Sequence, residues 1–160
     1  MAFGFVRSHD GSSRLSRLRS LSLFADLTPR ELKIVDGLLH ERSYVKDEVI
    51  FDEGDEGQAI YFILSGSVLI CRQGQPDDGR IAELGEGTFF GDLALLDEGP
   101  RVAQARAAEN CVLAVFFRDD FLDLLETHAL IASKVSLQLA RHIARRLREA
   151  MGSASARQLT

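Results

Sequence analysis

Hydrophobic positions change their period twice along this chain. From Thr28 they recur as on a helix, with Leu32, Val35, Leu38 and Leu39 on one stripe. Thr28 can cap that helix, Pro29 suits its first position and Glu31 completes a capping box. The pattern predicts a helix ending near Leu39–His40, with Leu27 stapled onto its first turns. Upstream, Leu15, Leu18 and Leu21 predict a short helix from Arg14 that docks on something apolar. The period then shortens. Strand-like runs follow at Glu48–Phe51, Ala59–Leu64, Ser67–Arg72, Arg80–Leu84, Val102–Ala107 and Cys111–Phe117. Nine of the thirteen glycines lie between Gly54 and Gly99, so turns separate these runs. Ser65-Gly66-Ser67 reads as a tight connection, and Gly74 to Gly79 as a polar hairpin tip.

After Phe117 the helical period returns. Asp119 and Asp120 sit where a helix N-terminus favours acids, and Phe121, Leu122, Leu124 and Leu125 follow. A longer helix is predicted from about Leu130 to Ala150, which contains no Gly or Pro. Val135, Leu139, Ile143 and Leu147 recur every four residues along it, as a stripe that packs on the strands or forms a dimer seam. The fold class is mainly β with flanking helices: an antiparallel, jelly-roll-like β-roll with N-terminal helices and a long C-terminal helix. Residues 21–150 form the domain, residues 1–20 a flexible basic arm, and residues 151–160 a flexible tail.

Composition narrows the class. A net charge of −5 is a poor footprint for nucleic acid, although Arg7, Arg14, Arg17 and Arg19 make the arm basic. Arg141, Arg145, Arg146 and Arg148 do the same near the C-terminus. No apolar run approaches the ~20 residues of a membrane span. Arg7 interrupts the apolar Met1–Val6 well short of a signal peptide's core of roughly 7–15 residues. Cys71 and Cys111 lie in apolar runs without a CxxC pattern, which reads as two buried free thiols and a cytoplasmic location. His40 and His128 lack partners at metal-ligand spacing. No nucleophile-elbow pattern surrounds Ser65, and Asp97-Glu98 reads as a solvated loop, so the chain is expected to be no enzyme.

The segment Gly87 to Arg101 carries the chemistry. Gly91 permits a sharp turn or a close approach to a ligand. Asp92 to Leu96 has the composition of one helical turn, whose free N–H groups suit an anion, and small Ala94 leaves them open. Arg101 brings a planar fork of donors suited to phosphate. Asp92 beside an anion site makes sense if it faces a sugar hydroxyl. As a helix cap it would need no ligand at all. Together these residues suit a molecule with both a phosphate and a ribose.

Here the chain resembles the cyclic-nucleotide-binding family of bacterial catabolite activators, kinase regulatory subunits and nucleotide-gated channels. The resemblance runs from about Leu23 to Ala150. It rests on Leu23-Phe24-Ala25-Asp26-Leu27, on Phe51-Asp52-Glu53-Gly54-Asp55-Glu56-Gly57, on Tyr61 to Val68, and on Phe90-Gly91-Asp92 followed by Arg101. It implies that Arg101 pairs with the cyclic phosphate and Asp92 stands where the family glutamate holds the ribose. Leu93 and Ala94 would offer amides, with Gly91 and Val102 completing the ligand-binding set and the final helix lidding the base. His142 and Arg145 on that helix would reach a base or remain solvated. The ligand expected is cyclic AMP (cAMP) ahead of cyclic GMP (cGMP), because Val102 lacks a hydroxyl. No cofactor is required.

The expected partners are the nucleotide, a second copy bound through the C-terminal helix, and an effector on another chain. Binding would favour one position of the C-terminal helices. Only ten residues follow Ala150, so DNA binding through this chain is not expected, nor is a membrane. A competing reading is a scaffold that kept the fold and lost the ligand. It rests on Asp92 in place of Glu, on Val102, and on Gln104 where Thr or Ser is common.

Overall fold

A computed structural model of the protein describes residues 11–158. Its elements are α1 (Gly11–Arg19), a 3-10 turn (Ser22–Phe24), α2 (Pro29–Asp36), β1 (His40–Tyr44), β2 (Val49–Phe51), β3 (Ala59–Ser65), β4 (Val68–Arg72) and β5 (Gln75–Leu84). There follow β6 (Phe89–Phe90), α3 (Leu93–Leu96), β7 (Gln104–Ala107), β8 (Cys111–Phe117), α4 (Arg118–Thr127) and α5 (Ala129–Gln158). The strands form two antiparallel four-stranded sheets, ordered β1-β8-β3-β6 and β2-β7-β4-β5. This is the jelly-roll-like architecture that the glycine-punctuated runs predict.

The two sheets explain why β3 and β8 read as continuous apolar runs. Ile60, Phe62, Leu64, Ala114 and Phe116 face a core shared with the helices. Ile63, Cys111 and Leu113, with Phe90, face Val68 and Ala105 of the other sheet. Strands buried on both faces have no polar side to alternate with. The helical half of the core adds Leu18, Phe24, Leu32, Val35, Phe121, Leu124, Val135 and Leu139. The capping box forms as expected: Glu31 N donates to Thr28 Oγ1 at 3.2 Å, and Thr28 N donates to Glu31 Oε1 at 2.9 Å.

Several boundaries move. β1, with sequence His-Glu-Arg-Ser-Tyr, carries no apolar alternation because it is an exposed edge strand paired only with β8. Gln75–Gly79, expected in a hairpin tip, belongs to β5, another edge strand, where Pro76 and the acids are tolerated. The strand expected from Val102 begins at Gln104. α2 stops at Asp36, and Leu38 and Leu39 complete the turn through bonds to Val35 O and Asp36 O.

The arm placed at residues 1–20 holds α1 from Gly11. Leu18 is buried there, and the Arg14 Nε–Asp36 contact is 2.6 Å. The disorder expected of residues 1–10 lies outside the described residues. α5 passes the expected stop at Ala150 and Gly152 and runs to Gln158. Among the described residues no helix is long and apolar enough to cross a membrane.

The four-residue stripe on α5 also divides. Each step of four advances about 40° around a helix, so such a stripe drifts off any one face. Val135 and Leu139 are buried in the chain's own core and Ile143 packs at its margin, whereas Leu147 is exposed.

The β3–β4 turn is the tightest backbone constraint in the roll. Gly66 has φ +84°, and a Cβ there would lie 2.7 Å from Cys111 Cβ. Gly66→Ala is expected to lower stability by at least about 1–2 kcal/mol, the strain of a left-handed backbone alone. The fall of the urea midpoint measures it, and an unchanged midpoint would show that the turn relaxes freely.

Candidate ligand site

The roll opens on one side into a cavity of about 670 Å³ lined by residues of β2, β4, β5, β6, α3 and α5, and by the segment Asp97–Ala103. Arg101 sits in its wall at 8% exposure. The backbone there is fixed by cross-links to the loop after β2: Gly54 N donates to Arg101 O at 2.8 Å, and Gly57 N to Gly99 O at 3.0 Å. Nη2 of Arg101 donates to Ala59 O at 2.8 Å and Nη1 to Gly91 O at 3.2 Å. The guanidinium carbon lies 4.1 Å from the Phe51 ring centroid and 5.7 Å from that of Tyr61, a cation–π seat.

No carboxylate lies within ion-pair distance of Arg101 among the described residues. Burial pushes the guanidinium below its ordinary pKa. Two carbonyls take up two of its five donors, and Tyr61 and Asp55 favour its charged form without forming an ion pair with it. A buried cation in this state is a seat for an anion.

Gly91 is required at this spot. Its φ is +73°, and a Cβ would lie 2.6 Å from Arg101 Nη1. Gly57 matters for a similar reason, since a Cβ there would meet Ala94 Cβ at 2.9 Å. Ala94 is buried, and its amide donates to Gly91 O at 3.2 Å, so of the two amides expected to face a phosphate this one already has a partner. Leu93 is exposed at the cavity rim, and Val102 likewise lines the cavity from an exposed position.

Asp92 is 4% exposed and makes no capping bond to α3, which removes the capping account of it. Its carboxylate instead receives Arg146 Nη1 of α5, at 3.2 Å from Oδ1 and 3.4 Å from Oδ2. One turn earlier on α5, the His142 ring lies 4.5 Å from that of Phe89. Burial holds His142 below the usual imidazole range, an effect that outweighs the pull of Asp92. Of the two α5 residues expected to approach a ligand, His142 lines the cavity and Arg145 does not; its neighbour Arg146 does. On an isolated helix nothing distinguishes one exposed arginine from the next.

Gln104 lies outside the cavity. Its side chain is buried, donating to Asp52 Oδ1 at 2.6 Å and accepting from Arg106 Nη2 at 3.2 Å. Its departure from Thr or Ser therefore does not touch the ligand wall. Arg118, which the sequence did not single out, is a strut. Its Nη1 reaches Gly57 O at 2.8 Å, Ala94 O at 3.0 Å and Asp97 O at 3.4 Å, tying α3 to the glycine loop and to α4. Among the described residues no group of His, Cys, Asp and Glu could hold a metal ion.

Residues 41–128 match the family described as cyclic nucleotide-binding domain. The cyclic AMP receptor protein of Thermus thermophilus is 40% identical over 134 residues, 83% of this chain and 60% of that protein. A cAMP-dependent protein kinase regulatory subunit of Candida albicans is 34% identical over 110 residues, 69% of this chain and 23% of the relative. The crystal structure of the Thermus thermophilus catabolite activator protein superposes with a TM-score of 0.75 at 37% identity, covering 86% of this chain and 63% of that one. The chain thus spans less than two thirds of each of these relatives. With the matched segment covering more than half its length, and with sheet order and cavity in place around it, the chain belongs to the cyclic nucleotide-binding domain family.

Proposed function

We propose that this chain is a non-catalytic regulatory module that binds a cyclic nucleotide, cAMP ahead of cGMP, in the cavity beside Arg101. The observation that carries this reading is the buried guanidinium without a counter-charge. A cyclic phosphate would supply the missing anion and take up donors that the carbonyls of Ala59 and Gly91 leave free. The cavity volume falls within the range of small-molecule sites. The preference for cAMP rests on Val102, which offers no hydroxyl, and is supported by relatives named for cAMP. In this reading Asp92 meets the ribose. Two buried free thiols, Cys71 and Cys111, suit a reducing compartment such as the cytoplasm.

The competing reading, a scaffold without ligand, draws on Asp92, whose carboxylate is already paired with Arg146. Gln104 no longer counts toward it, since that side chain faces Asp52 and Arg106. A direct titration separates the two.

The output runs through α5 in this proposal. Its outward face carries Leu130, Leu137, Ala144 and Met151 at steps of seven, interleaved with Ser133, Ala140, Leu147 and Ala154. All eight are exposed. A repeat of apolar and small residues at this spacing over more than three heptads suits a coiled-coil seam, and the partner it fits is a second copy of the same helix. Homodimerisation through this stripe, rather than through Val135 and Leu139, is therefore our reading. An effector on another chain would sense the position of α5.

Three measurements test this proposal. Calorimetric titration should give tighter binding of cAMP than of cGMP, and binding of neither below roughly millimolar concentration would leave the scaffold reading. Arg101→Lys should weaken cAMP binding by roughly 10- to 100-fold, because a point ammonium cannot keep both carbonyl bonds and still fork onto a phosphate. Unchanged affinity in that variant would remove Arg101 from the site. Leu137→Glu combined with Leu147→Glu should convert a dimer to a monomer in light scattering while cAMP binding persists.

A further inference from the structure

The solvent sides of the two C-terminal helices carry opposite charge. On α4, Asp119, Asp123 and Glu126 follow at steps of four and three, which puts them within about 60° of one another around the helix. Asp120 lies 4.0 Å from His40 Nε2, and Arg118, the one basic residue of α4, is turned inward onto carbonyls. On α5, Arg141, Arg145 and Arg148 repeat the same steps in the opposite sign. All six residues are exposed, and among the described residues none lies within ion-pair distance of an opposite charge. Lys134 and Arg146 are already paired, with Glu31 and Asp92, and Glu149 is the single acid of α5. Like charges one helical turn apart repel, so each face costs stability while it stands alone. Leu122 and Leu125 border the acids at 47% and 41% exposure.

We propose that the acid face of α4 in one copy of this chain docks on the arginine face of α5 in another. The two faces share one spacing, so acids and arginines pair one for one, and each pair relieves a repulsion on both helices. The aliphatic stems of the arginines cover Leu122 and Leu125. Every copy carries both faces, so two copies make the contact twice about a two-fold axis. Arg141 and Arg148 directly follow Ala140 and Leu147 of the outward stripe and border it without belonging to it, so the stripe stays free for its own partner. Exposed ion pairs are individually weak and are screened over a Debye length of about 10 Å at 0.1 M salt. The contact therefore governs association at low salt, where it adds copies to whatever the stripe holds together. None of the six charged residues lines the cavity, so nucleotide binding and this contact fail separately.

Charge reversal tests the contact by sedimentation at low salt. One variant carries Asp119→Lys, Asp123→Lys and Glu126→Lys, and a second carries Arg141→Glu, Arg145→Glu and Arg148→Glu. In either one the two faces have the same sign, and self-association should weaken at least about tenfold. A third variant carries all six changes and has opposite signs again. Its self-association should return to within about threefold of the unaltered chain. The second and third variants have the same α5, so any difference between them comes from α4. A six-fold variant no stronger than the second would overturn the proposal. Should a reversal unfold the protein by circular dichroism, the unaltered chain decides. Its weight-average mass should fall at least about 1.5-fold as NaCl rises from roughly 0.05 to 0.5 M, whereas a stripe bordered by arginines alone would hold or tighten as their repulsion is screened. A constant or rising mass would overturn the contact. No nucleotide enters these measurements, so failure of the cavity reading leaves them intact.

Discussion

A guanidinium taken out of water and left without a carboxylate organises this molecule. Arg101 is costly where it stands, and the surrounding structure reduces that cost without cancelling the charge. Ala59 at the start of β3 and Gly91 ahead of α3 each lend a carbonyl, and Phe51 and Tyr61 lend ring faces. To reach both carbonyls the side chain must pass under Gly91, which excludes a Cβ there. The loop after β2 must also clamp the backbone on either side of Pro100. The two sheets, the short helix and the glycine loop thus share one geometric requirement, and the seat for an anion is what that requirement leaves open.

The site is also built into the helical half of the fold. Arg118 follows β8 and begins α4, and its side chain donates to the carbonyls of Gly57, Ala94 and Asp97. α4 packs on α5 through a core that includes Phe121, Leu124, Val135 and Leu139. A shift of α3 is therefore felt at the first turn of α4 without any long chain of intermediaries. Further along, α5 returns to the start of the same short helix through Arg146 and to β6 through His142. The segment Gly91–Leu96 lies between two contacts with the C-terminal helices, one well buried at Arg118 and one weak at Asp92.

Much of the fold was legible because its signals are local. The capping box at Thr28–Glu31, the apolar runs of β3 and β8, and the turn at Gly66 each depend on residues that are neighbours in the chain. Edge strands were the failures. β1 and the first half of β5 are polar because one side of each faces no partner, and a polar strand is indistinguishable from a loop until its pairing is known. The stripe on α5 misled for a related reason. Steps of four drift around a helix, so Val135 and Leu139 end in the core while Leu147 ends outside it. The seven-residue repeat on the outward face is present in the same helix, but which face is outward depends on what the helix packs against.

Sequence by itself determined the class of fold and singled out Gly91 and Arg101 as candidate site residues, because turn chemistry, periodicity and the identity of a lone cation belong to short stretches of chain. Tertiary structure alone decided that, among the described residues, no carboxylate lies within ion-pair distance of Arg101, that Gln104 faces away from the cavity, and that Asp92 is held by Arg146, 54 residues further on. Each of these depends on which side chains two distant segments bring together. That choice is made by the packing of the strands and loops of the roll on one another and of α5 on the roll, and no local pattern encodes it.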